Sequence, residues 1–75
     1  MLLKKSFSLA GHRTSVALEV EFWDALARMA GGRGLSLAAV VMEVDGARDP
    51  SRPLASALRV AALAASRSPE NSSTV

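Results

Sequence analysis

Cysteine is absent from all 75 residues, which rules out disulfide staples and thiolate metal sites alike. Aromatic residues make up only 4% of the chain, with Phe7, Phe22 and Trp23 and no tyrosine. The single histidine, His12, has no second histidine and no carboxylate at metal-ligand spacing, so neither a metal site nor a histidine-based catalytic pair is legible. The serines lack a base within any recognisable motif, and no enzyme and no cofactor are expected. Long apolar runs are missing too. No stretch approaches the roughly 18 apolar residues that would cross a bilayer. Met1-Leu2-Leu3-Lys4-Lys5 sets its apolar pair ahead of its charges, the wrong order for a signal peptide. The expectation is a cytoplasmic protein with no membrane partner.

What is present is a 49% hydrophobic composition in one short chain, enough for a single domain at most. A domain of this size buries a small fraction of its surface and is marginal alone. With disulfides excluded, oligomerisation is the remaining route to stability, and a homodimer or higher homo-oligomer is expected. The formal net charge is only +2, but it is unevenly spread. Residues 1–18 carry Lys4, Lys5 and Arg13 and no acid, whereas residues 19–49 hold Glu19, Glu21, Asp24, Glu43, Asp45 and Asp49. A basic leading end is what a phosphate-facing surface requires.

From Arg13 to Leu18 the chain alternates, with Thr14, Val16 and Leu18 on one face and Arg13, Ser15 and Ala17 on the other, as a half-buried strand does. Nothing downstream resembles a second strand, so pairing with another copy is the expected way to complete its backbone. Upstream, Lys5-Ser6-Phe7-Ser8-Leu9 also alternates but with opposite parity, so Gly11-His12 must reset the register. Either of two devices does this. A two-residue loop at Gly11-His12 sets Leu9 opposite Thr14 and Phe7 opposite Val16; a bulge at Gly11 within one long strand restores parity equally well.

Glu19 to Ala30 places Phe22, Leu26, Met29 and Ala30 on one side of a helix, with acids in the first turn where the helix dipole favours them. Trp23, at the edge of this stripe, is read as packing at a helix or subunit interface. Gly31-Gly32-Arg33-Gly34 is expected to end the helix. This glycine cluster lacks the Lys-Ser/Thr ending of a phosphate loop, which excludes that route to nucleotide binding. Ser36 is the natural N-cap of a second helix, Leu37 to Val44, almost wholly apolar and closed by Asp45-Gly46. Pro53 opens a third helix with Leu54, Leu58, Ala61 and Ala65 on one stripe and Val60 and Leu63 flanking. Ser66 to Val75 is polar and without period, the composition of a disordered tail.

Arg13 to Leu18, Phe22, Leu26, Met29-Ala30, Gly34-Leu35-Ser36 and Val40 to Val44 together resemble the ribbon-helix-helix family of small bacterial DNA-binding proteins. The resemblance implies a mainly α fold with a short N-terminal β element, an intertwined homodimer, and here an extra C-terminal helix. On that reading residues 1–11 are an N-terminal arm or extra strand, 12–65 the ribbon-helix-helix domain with its added helix, and 66–75 the tail. The implied function is sequence-specific binding of double-stranded DNA by a transcriptional regulator whose two-stranded ribbon enters the major groove. Arg13, Ser15 and Ala17 then face base edges, while Lys4, Lys5, Ser36 and Leu37 meet phosphates. Val16, Leu18, Phe22, Leu26, Met29, Leu35, Val40, Val41 and Val44 form the dimer core. A protein-interaction or oligomerisation module of the same fold, antitoxin-like versions included, is the competing expectation. It draws on the six acids, on the alanine at position 17, and on the width of a ribbon that carries an extra strand.

Overall fold

The computed structural model describes residues 1–66. Two strands, β1 (Leu2–Leu9) and β2 (His12–Glu19), are followed by α1 (Val20–Arg33), α2 (Leu37–Ala47) and α3 (Leu54–Ser66). The strands form one antiparallel two-stranded sheet with Leu9 opposite His12, Phe7 opposite Thr14, Lys5 opposite Val16 and Leu3 opposite Leu18. β2 is therefore completed within its own chain along one edge, by the strand that precedes it.

The hairpin supersedes the bulge, and its turn lies one residue earlier than Gly11-His12. Ala10 and Gly11 are the two loop residues, with φ of 51° and 82°. Two consecutive positive φ angles are what the favoured two-residue hairpin turn demands, because its twist matches that of the flanking strands. The resulting pairs differ from the expected ones by two residues, so the parity is kept: Phe7 and Leu9 still share a face with Thr14, Val16 and Leu18.

That face is dry. Phe7, Leu9, Val16 and Leu18 pack on Trp23, Leu26 and Ala30 of α1, Val40 and Val41 of α2, and Leu58 and Ala62 of α3. Leu18, Leu26, Val40, Val41 and Leu58 are wholly inaccessible. The molecule thus has two layers, a hairpin above and three helices below, and α3 contributes directly to the core.

The helices run further than their sequence punctuation suggests. Gly31 and Gly32 lie inside α1, since each mid-helix glycine costs only about 1 kcal/mol. Gly34 is the residue that ends the helix, in the left-handed conformation at φ 69°, with its N–H and that of Leu35 donating to the last-turn carbonyls of Gly31 and Ala30. Asp45-Gly46 likewise lies within α2, which continues to Ala47 and ends where the Arg48 N–H donates to the Val44 carbonyl. Pro53 stands just before α3 and its carbonyl accepts from the Ala57 N–H. The buried stripe of α3 is centred on Ala57, Leu58 and Ala62, one position round from the expected one, and leaves Val60 and Leu63 half exposed. The tail expected over 66–75 lies outside the described residues apart from Ser66, which closes α3.

α1 and α2 meet at a 100° bend. Arg33 at the end of α1 grips Glu43 of α2 with two nearly parallel bonds of 2.6 and 2.9 Å, bracing this corner from outside. Among the described residues no single helix is long and apolar enough to cross a membrane.

Three changes test these constraints by urea denaturation. Gly11→Ala has open space around the new methyl group, so its cost is conformational, about 1–2 kcal/mol, while Ala10→Asn gains a few tenths of a kcal/mol or more. Truncation after Asp49 removes Leu58 and Ala62 from the core and abolishes the cooperative transition. A truncated chain that still unfolds cooperatively would contradict the place given to α3.

Candidate nucleic-acid interface

Because opposite residues in an antiparallel pair share a face, the outward side of the hairpin is assembled from both strands. β2 supplies Arg13, Ser15 and Ala17, and β1 sets Ser8, Ser6 and Lys4 directly opposite them. The side chains confirm the register. Ser6 and Ser15 hydroxyls are 2.8 Å apart, and Arg13 Nη1 donates to Ser8 Oγ at 3.4 Å. All three residues expected to read bases thus lie together on one solvent-facing surface, with Arg13 and Ser15 exposed and Ala17 half-buried.

The phosphate candidates divide. Lys4 stands on this outward face and is exposed. Lys5 is on the other side, opposite Val16, with its ammonium 5.8 Å from the Trp23 ring, a cation–π contact at the rim of the core. Ser36 caps α2: its backbone is extended and its hydroxyl accepts from the Ala39 N–H at 3.0 Å. Helix geometry leaves the first amides of α2, at Leu37 and Ala38, without intrahelical acceptors.

The residues expected to form a dimer core lie mostly in the core of one chain. Val16, Leu18, Leu26, Val40 and Val41 are buried there, Phe22, Met29 and Val44 pack at its margin, and Leu35 remains 37% exposed. Trp23, given only an edge role by the helical stripe, is the residue that fastens the layers. Its ring lies 5.9 Å from that of Phe7, and its indole N–H donates to the Leu3 carbonyl at 2.7 Å. The signal available in the sequence was chemical rather than periodic: a buried indole needs an acceptor, and β1 offers backbone carbonyls.

Electrostatics sharpen the face. Glu19 ends β2 as the only acid of the hairpin, and Arg59 of α3 neutralises it through bonds of 2.9 and 3.3 Å while its guanidinium also lies 5.8 Å from the Phe22 ring. The Arg59 hydrogen bond holds the Glu19 carboxyl below the usual glutamate range. Glu43 is lowered for the same reason by Arg33, and Asp49 by the backbone and hydroxyl of Ser51. Three of the six acids between residues 19 and 49 form ion pairs with arginines: Glu19 with Arg59, Glu43 with Arg33 and Asp45 with Arg48. None of these ion pairs among the described residues involves Lys4, Lys5 or Arg13. The hairpin keeps its positive charge.

A strand with an outward polar face, followed by two helices meeting at a corner, has the element order of a ribbon-helix-helix module. The model of the ribbon-helix-helix domain matches residues 2–66, and the chain belongs to that family. The match begins at residue 2, so β1 falls inside the matched region. No curated protein and no solved structure matches the chain.

The lowered Glu19 carboxyl gives a signed pH dependence. A carboxyl depressed in the folded state stabilises above its ordinary value of 4.5, and that stabilisation is lost as pH falls through the folded value. Glu19→Gln is therefore expected to make the decline in stability below about pH 4.5 shallower than in the unaltered chain, as read by thermal melts across acid pH.

Proposed function

We propose that the chain is a homodimeric DNA-binding protein, a transcriptional regulator that presents its ribbon to the major groove. The observation that carries this reading is the outward hairpin face, where Lys4 and Arg13 stand without carboxylate partners and Glu19 is masked by Arg59.

The geometry also supports the way in which two copies would join. Leu9 and His12 flank the two-residue turn as a hydrogen-bonded pair, and from there the ladder alternates. The backbone N–H and C=O groups of Arg13, Ser15 and Ala17 are therefore directed away from β1, along an edge that no described strand covers. A second β2, antiparallel across a two-fold axis, would satisfy those groups and gather both copies of Arg13 and Ser15 on one face. Arginine can grip guanine through O6 and N7, and serine can bond several bases. Ala17 offers only a methyl contact to thymine. The amides at the start of α2, next to Ser36, suit a phosphate.

The competing reading, a module that binds protein and not DNA, draws on the half-exposed Met42, Val60 and Leu63. In its antitoxin-like form the residues past Pro50 fold only on a partner, whereas here α3 is already packed through Leu58.

A gel-shift titration at several salt concentrations separates the two. DNA affinity falls steeply with salt, and Arg13→Ala, at an exposed position that leaves the fold intact, abolishes the shift at moderate salt. Undiminished binding by Arg13→Ala would sink groove readout by β2.

A further inference from the structure

A dimer joined through β2 is not a two-stranded ribbon. Each β2 already carries β1 on its other side, so the joined sheet has the order β1, β2, β2, β1. Strands lie about 4.8 Å apart, which sets the two outer strands roughly 14 Å from one another. The major groove is only about 12 Å wide. Both β1 strands therefore fall outside the groove opening, over the two phosphate walls, while the β2 pair sits over the floor. Resting on the DNA reading above, we infer that β1 is a phosphate-binding flank: Lys4, with Ser8 beside it, holds the sheet at the lip of the groove, and Lys5 takes no part.

The placement of each side chain fits that division. Lys4 is exposed on the outward face opposite Ala17, where β2 has no polar group of its own to offer. Ser8 accepts from Arg13 Nη1, which leaves its own O–H available to a phosphate oxygen. Ser6 and Ser15 hold one another at 2.8 Å, so the short Ser15 side chain is steadied and the long Arg13 side chain is the one that can reach down from a sheet kept at the lip. Lys5, adjacent in sequence and identical in charge, points to the helices and rests against Trp23.

Fluorescence anisotropy of the full chain on a labelled mixed-sequence duplex, between about 50 and 200 mM salt, tests this. Each phosphate contact contributes about 0.9 to the slope of log affinity against log salt, so Lys4→Ala makes the slope shallower by about 2 for a dimer. Lys4→Gln, which keeps the side chain's stem, gives the same change, and Lys5→Ala leaves the slope as it was. If the unaltered chain binds and Lys4→Ala keeps its slope, or if Lys4→Ala and Lys5→Ala flatten it equally, the assignment of β1 to the phosphates is overturned while DNA binding stands. If the unaltered chain binds no duplex at the lowest salt, the DNA reading itself fails.

Discussion

The pairing of β1 with β2 in a single register is the constraint on which the rest of the molecule depends. It sets Phe7 and Leu9 on the side of Val16 and Leu18, giving the helices one continuous apolar surface to cover. It also gathers Lys4, Ser6, Ser8, Arg13 and Ser15 on the opposite side, where none of them has to be buried. A slip of one residue would exchange the two sets and bury the charged face. The turn at Ala10 and Gly11 therefore decides both stability and surface chemistry, and an alanine held at φ 51° is a small conformational cost borne for that register.

The third helix changes the meaning of the two-helix core. With Leu58 and Ala62 beneath the hairpin, Val16, Leu18, Leu26, Val40 and Val41 are buried without help from a second chain. Arg59, in the second turn of the same helix, reaches Glu19 at the boundary of β2 and α1 and offsets the one negative charge of the hairpin. Packing and electrostatics are thus linked through α3: the helix that completes the core also keeps the outward face basic. The Arg33 and Glu43 pair does a lesser service at the corner between α1 and α2, where both partners are about half exposed and a surface pair of this kind contributes little alone.

Much of this was legible in the residues. The alternation of Thr14, Val16 and Leu18 against Arg13, Ser15 and Ala17 fixed a strand with one dry face, and Ser36 marked the start of α2. Lys4, Lys5 and Arg13 located the basic end, and the absence of cysteine removed disulfides and thiolate ligands from consideration. These features are local: they follow from the period of a strand, the needs of a helix terminus and the chemistry of single side chains, so sequence by itself determined them. The ends of α1 and α2 were misjudged because Gly31, Gly32 and Gly46 weaken a helix by amounts that tertiary packing easily outweighs.

What only the tertiary structure decided is how distant parts share a face. Whether the parity change near Gly11 made a hairpin or a bulge depended on which arrangement buries Phe7 and Leu9 against the helices, a choice two local patterns cannot make. The role of Trp23 followed from the presence of the Leu3 carbonyl above it, and the masking of Glu19 from an arginine 40 residues away. Lys4 and Lys5, alike in composition, were separated only when pairing with Ala17 and Val16 sent one outward and the other toward the core. The physical reason is the same in each case: burial and charge compensation act through space, and the chain carries no record of its neighbours until it has folded.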